Sequence, residues 1–174
     1  MQKLHLVVDK IPEFPYFLLA FAYMFLHPGH DYIHIFAVAF LFVTTSLAIG
    51  ITLKLVCKTQ RPVEYTTIKF FKYGFPSLHS MISLGAIAFL LFLDGYIALL
   101  LLPVGAFYVY SRIRMRFHTA HDVIGGAILG LSVGAIFGYY GFGMTMPHVI
   151  EFMFAVLFFV LPISFSIARV RMSV

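Results

Sequence analysis

Apolar runs separated by short polar breaks recur along the whole chain. The first, roughly Phe14 to Leu26, is short for a full membrane span. A break at His27-Pro28-Gly29-His30-Asp31 carries turn and N-cap signals, and a second run follows from about Tyr32 to Cys57. The third covers about Ser77 to Leu93 and ends at Asp94-Gly95; the fourth covers about Tyr96 to Tyr110, with Pro103 inside it. The fifth begins near Phe117 and ends near Tyr140, and the sixth extends from about His148 to Ile167. Helical runs of about twenty apolar residues match the thickness of a bilayer core. The pattern therefore predicts an all-α fold, an integral membrane bundle of about six transmembrane helices, as one domain over residues 1–174. Residues 1–13 read as an interfacial segment. Residues 58–76 read as an interfacial loop, where lysines alternate with Tyr65, Phe70, Phe71, Tyr73 and Phe75. In the fifth run Gly126, Gly130, Gly134 and Gly138 recur every fourth residue, a spacing that lets a neighbouring backbone approach closely in lipid.

Composition agrees with this reading. Charged residues make up 11% of the chain and hydrophobic ones 61%, with mean hydropathy +0.97; a soluble domain carries about a quarter charged residues. The first apolar run does not read as a cleavable signal, since it follows Asp9, Lys10, Pro12, Glu13 and Pro15 and no small-residue cleavage site comes after it. The single cysteine, Cys57, excludes an intrachain disulfide and a cysteine metal cluster. The net charge of +5 does not point to nucleic acid, because the basic residues flank the membrane runs. Anionic headgroups and phosphates are their natural partners there.

Against this background the stretch Ser111 to Asp122 stands out, holding three arginines, two histidines and an aspartate. Charge beside lipid is costly and usually marks function. On a helix His118 and Asp122 would share one face, so that Asp122 accepts a hydrogen bond from one ring nitrogen and leaves the other as a nucleophile. Two more polar clusters fall at run ends on the same membrane face, since successive helices alternate in direction. One is Lys54 with Arg61-Pro62; the other is Pro76-Ser77-Leu78-His79. Mutual repulsion among Lys54, Arg61 and Arg112 would cost energy unless an anion sits between them.

Lys54, six residues, Arg61-Pro62; Pro76-Ser77-Leu78-His79; Ser111-Arg112, five residues, His118, three residues, Asp122: this order resembles the three-part signature of the type 2 phosphatidic acid phosphatase superfamily. The resemblance implies a membrane lipid phosphatase acting on a lipid phosphate or diphosphate, such as phosphatidic acid, phosphatidylglycerophosphate or a polyprenyl diphosphate. It implies His118 as the nucleophile that becomes a phosphohistidine, Asp122 as its orienting partner, and His79 as the acid and then the base. Lys54, Arg61, Ser77 and Arg112 would bind the phosphate oxygens, with the backbone N–H of Leu78 pointing at phosphate. No cofactor and no metal are implied. The partners expected are the lipid substrate and the bilayer, and oligomeric state stays open. Leu78 departs from the glycine common at that position, and its Cβ disfavours a positive φ. The Pro-Ser-Leu-His form resembles the inositol-phosphorylceramide synthase branch, which keeps a phosphotransferase in view; a non-enzymatic channel would leave the clustered cations unexplained.

Other polar groups read more plainly. His27, His30, Asp31 and His34 could assemble a metal site on paper but read as an interfacial turn. His121 faces about 100° away from Asp122 around a helix. Arg114 and Arg116 flank the site as membrane-edge cations or as a grip on a second phosphate. All twelve Lys and Arg fall on the site's face of the six-helix layout, which predicts a multi-pass protein of the cell membrane with its site toward the cytoplasm. Many members of the resembled family are thought to face the other way.

Overall fold

A computed structural model describes residues 31–63, 72–93 and 95–141, together with 143, 145, 147, 148 and 150. Four helices are described: α1 (Tyr32–Cys57), α2 (Leu78–Leu91), α3 (Gly95–Arg114) and α4 (Ala120–Gly141), with no strand among the described residues. The expected first helix, all of the expected sixth but residues 148 and 150, the segment 1–13 and the centre of the 58–76 loop lie outside the described residues. The all-α class holds, and four helices of the expected six are seen. Two of them, α1 and α4, are long and apolar enough to cross a membrane.

Local chemistry sets the helix ends. Asp31 caps α1, its carboxylate accepting the His34 N–H at 3.0 Å, an arrangement that stabilises a helix start by about 1 kcal/mol. The other end of α1 stops where Lys58 turns left-handed (φ 49°) and donates its N–H to the Lys54 carbonyl. Ser77 caps α2, its hydroxyl accepting the Ser80 N–H at 3.5 Å.

The closest packing is between α2 and α4. A methyl group on Gly126 would strike the Ser77 carbonyl, one on Gly130 the Met81 carbonyl, one on Gly134 the Gly85 carbonyl, and one on Gly138 the Phe89 carbonyl. Both partners advance four residues at a time in the same direction, so the two helices run parallel with backbones in contact. The absence of side chains along that stripe of α4 is what permits the approach. Packing of α1 against them is antiparallel: Gly50 meets Leu78 and Met81, while Phe42 meets Gly85 and stacks on Phe89 with ring centroids 5.8 Å apart. Val38, Leu41, Phe42, Met81, Phe89, Val133 and Phe137 form the core where these three helices meet. On the other side of α2, Ile87 packs with Ala98 and Leu101 of α3. This topology brings the C-terminal end of α1, the N-terminal end of α2, the C-terminal end of α3 and the N-terminal end of α4 to one end of the bundle.

Candidate active site

Every expected site residue lies at that end. Lys54, Arg112, His118 and Asp122 are each no more than 4% exposed, so their polar atoms must find partners within the protein or on a ligand.

The segment 73–77 leads into α2 without regular structure, and its backbone groups are met from elsewhere. The Gly74 N–H goes to the Thr59 carbonyl at 2.9 Å and the Phe75 N–H to Thr59 Oγ1 at 2.7 Å. The Ser77 N–H goes to the Asp122 carbonyl at 2.8 Å. On the acceptor side, Lys54 Nζ donates to the carbonyls of Tyr73 (3.0 Å), Gly74 (2.9 Å) and Pro76 (2.6 Å). Arg61 Nε adds a bond to Tyr73 at 3.2 Å. Burying an ammonium costs several kcal/mol, which bonds from all three of its hydrogens can offset. Lys54, expected to hold phosphate oxygens, has its Nζ within hydrogen-bond distance of three backbone carbonyls. The turn that carries them lies against Asp122, and a Cβ on Gly74 would sit 2.6 Å from the carboxylate oxygen Oδ2.

His118 lies on the bridge between α3 and α4, not on a helix. The expected start of the fifth helix near Phe117 and the expected end of the fourth at Tyr110 are both corrected. The last turn of α3 reaches Arg114 and contains Ser111 and Arg112. Its end is a Schellman motif: Arg116 takes φ 56°, its N–H bonds the Ile113 carbonyl at 3.0 Å, and the Phe117 N–H bonds the Arg112 carbonyl at 3.1 Å. The His118 N–H also reaches the Arg112 carbonyl, at 3.3 Å. Thr119 then starts α4 through a reciprocal cap. Its Oγ1 accepts the Asp122 N–H at 3.3 Å, and Asp122 Oδ2 accepts the Thr119 N–H at 2.9 Å. A helix stop and a helix start placed back to back fix the backbone of His118 from both sides.

That geometry still pairs His118 with Asp122, though by the cap and not by a shared helical face. Nδ1 lies 3.6 Å from Oδ2, beyond hydrogen-bond length, and Nδ1 has no hydrogen-bond partner among the described residues. Burial lowers the His118 pKa from 6.5 to about 4; Asp122 opposes that shift, and the positive charges of Arg61 and Lys54 reinforce it. The imidazole is therefore neutral at pH 7, as a nucleophilic nitrogen must be.

The last turn of α3 contributes Ser111 and Arg112. Ser111 bonds back to the Tyr108 carbonyl at 2.8 Å and accepts from Arg112 Nε at 3.3 Å. The Arg112 guanidinium lies 5.4 Å from the centroid of the Phe117 ring. The N-terminal end of α2 completes the site. Ser77 Oγ accepts from Ser80 Oγ at 3.1 Å, and its own proton remains a donor. Leu78 is the first helical residue, with its side chain packed on Gly50, so no positive φ is required of it. The head of a helix is where backbone N–H groups and the peptide dipoles favour an anion. His79 follows in the first turn, half-buried.

Thr59, Gly74, Phe117 and Thr119 escaped the sequence reading. The pattern Thr119-x-x-Asp122 was a legible capping box; the roles of Thr59 and Gly74 depend on contacts made far along the chain. Of the paper metal set, Asp31 caps α1 and His34 Nε2 donates to the Gly141 carbonyl at 3.0 Å, while His27 and His30 lie outside the described residues. His121 is exposed on α4. Among known proteins, the family profile of the PAP2 superfamily matches residues 32–146. No curated protein and no solved structure matches the chain.

Proposed function

Because the chain belongs to the PAP2 superfamily, a family of phosphatases, we propose that it is an integral membrane lipid phosphatase working through a phosphohistidine. The observation that carries this reading is the buried His118 imidazole with its Nδ1 3.6 Å from Asp122 Oδ2, where burial, reinforced by Arg61 and Lys54, lowers its pKa to about 4. In the proposed reaction His118 Nε2 attacks the terminal phosphorus, and the bond to the lipid oxygen breaks as His79 protonates that oxygen. Asp122 stabilises the positive charge that develops on the ring. His79, now neutral, takes a proton from water, which attacks phosphorus, breaks the P–N bond and releases inorganic phosphate. Arg61, Arg112, the Ser77 hydroxyl and the Leu78 N–H would grip the three equatorial oxygens. Positioning and charge neutralisation of this kind make up most of phosphoryl-transfer catalysis.

A substrate whose phosphate lies at the bilayer surface while its tail stays in lipid suits a site at one end of a membrane bundle. The candidates are phosphatidic acid, phosphatidylglycerophosphate and a polyprenyl diphosphate. The test is phosphate release from these lipids by purified protein, with His118→Ala as the blank. Release by the wild type and a loss of several orders of magnitude in the variant are expected. Near wild-type release by His118→Ala would refute the nucleophile. Transfer to an added alcohol in preference to water would mark a phosphotransferase instead.

A further inference from the structure

We propose that Ser80, in the first turn of α2, is a positioning residue that makes the Ser77 hydroxyl an obligate hydrogen-bond donor toward phosphate. The inference rests on the phosphatase reading of the site, and adds to it a residue outside the three-part signature.

A serine oxygen accepts two hydrogen bonds and donates one. Ser80 meets Ser77 Oγ twice, with its backbone N–H at 3.5 Å and its hydroxyl at 3.1 Å. The backbone bond is long and holds weakly on its own, so the hydroxyl supplies most of the hold. Both side chains are fully buried, and an unmet proton on either costs free energy. Only one of their two protons can lie between the two oxygens; the other needs an acceptor elsewhere. If Ser77 donated to Ser80, the Ser80 proton would be stranded a turn deeper in α2. There Ser80 Oγ has no second partner among the described residues. With Ser80 donating, the proton left over belongs to Ser77, at the end of the helix beside the reacting pair. The Ser77 N–H bonds the Asp122 carbonyl at 2.8 Å, and Gly126 lets α4 come against the Ser77 carbonyl. The backbone of Ser77 is thus fixed by α4 and its side-chain oxygen by Ser80. With both lone pairs engaged, the remaining O–H can meet only an acceptor. That selects an unprotonated phosphoryl oxygen, the kind presented by the transferring group.

A double-mutant cycle separates this role from packing. Ser80→Ala removes the donor with little change of shape. Ser77→Gly removes the acceptor oxygen and leaves a residue that helix starts tolerate. Affinity for orthovanadate, read as a thermal shift of the purified protein, is measured alongside phosphate release from lipid. Ser80→Ala should weaken vanadate binding about threefold to tenfold and lower kcat/KM by a similar factor. In the Ser77→Gly background the same change should cost less than about twofold, since no oxygen is left to orient. Three results overturn the proposal: no loss in Ser80→Ala, equal losses in the two backgrounds, or a lowered melting temperature with vanadate affinity unchanged. The last two would make Ser80 a packing residue. If Ser80→Ala does not accumulate as folded protein, Ser80→Cys takes its place in the cycle, because a thiol fills the same space and is a weak donor. A wild type that releases phosphate from no lipid defeats the phosphatase reading, while the vanadate cycle still decides what Ser80 does. A wild type with neither activity nor vanadate stabilisation holds no phosphoryl group at Ser77 and overturns both.

Discussion

Burial makes His118 a weak base, and the sign of its effect on stability follows. Its pKa falls from 6.5 in the unfolded chain to about 4 in the folded protein. Between those values the unfolded chain binds a proton that the folded one rejects. The contribution of a neutral His118 is thus fully present above about pH 6.5 and is lost as pH falls toward 4, at up to about 1.4 kcal/mol per pH unit. Wild type should therefore lose more melting temperature between pH 7 and pH 5 than His118→Ala does. Parallel losses in the two proteins would mean that the imidazole is not held neutral. Histidine and aspartate at that spacing, inside an apolar chain, drew attention to the pair, although an interfacial basic loop with a capping aspartate accounted for the same stretch, and Asp122 does cap α4. What could not be read was how they meet. Spacing alone put both on one helical face, whereas Arg116 in the left-handed region ends α3 and Thr119 caps α4, leaving His118 between them. Lys54 illustrates the same limit: its charge was legible, but its acceptors lie nineteen to twenty-two residues away along the chain.

Between elements, the parallel seam of α2 and α4 connects packing to the site. The every-fourth glycines were visible in the sequence as a close-approach stripe, but the partner and its direction were not. The structure pairs Gly126, Gly130, Gly134 and Gly138 with Ser77, Met81, Gly85 and Phe89. The same register delivers the Ser77 N–H to the Asp122 carbonyl. A side chain in the seam should therefore reduce both stability and activity. Gly130→Ala would place its methyl on the Met81 carbonyl, and overpacking of this sort costs typically about 1–3 kcal/mol. In a chain of this size each kcal/mol lowers the melting temperature by about 2–4 °C. Gly95→Ala, where nothing lies within 4 Å of the added carbon, is the control and should melt with wild type. Equal melting of the two variants would show that the seam is looser than the structure has it. The span of α1, Tyr32–Cys57, was legible to the residue because Asp31 marks its start and Lys58 follows its last apolar turn. The ends of α3 and α4 were less so, since a polar last turn carrying Ser111 and Arg112 resembles a loop in sequence.

Charge at the scale of the whole molecule is distributed unequally between the two ends of the bundle. Among the described residues Lys54, Lys58, Arg61, Lys72, Arg112, Arg114 and Arg116 all lie at the site end, and the other end carries Asp31 and no lysine or arginine. Lys54, Arg61 and Arg112 belong to the proposed site wherever it faces, so they are left out of the argument about insertion. Lys58, Lys72, Arg114 and Arg116 are exposed, and they carry the argument. Cytoplasmic segments are enriched in lysine and arginine, and that bias orients helices during insertion. A cytoplasmic site is the physical expectation, and it would suit a newly made lipid phosphate better than a carrier recycled on the outer surface. Basic residues at this end would also attract an anionic substrate from either side, so orientation needs its own measurement. Exposed Cys57, at the end of α1, is a natural probe of the site end. Thr145, exposed beyond α4, serves as the other probe once Cys57→Ser has removed the first. In intact cells an impermeant maleimide should label Thr145→Cys in the Cys57→Ser background and spare Cys57 in the wild type, and both should react after the membrane is permeabilised. Labelling of Cys57 in intact cells with protection of the cysteine at 145 would reverse the orientation and place the site on the outer side.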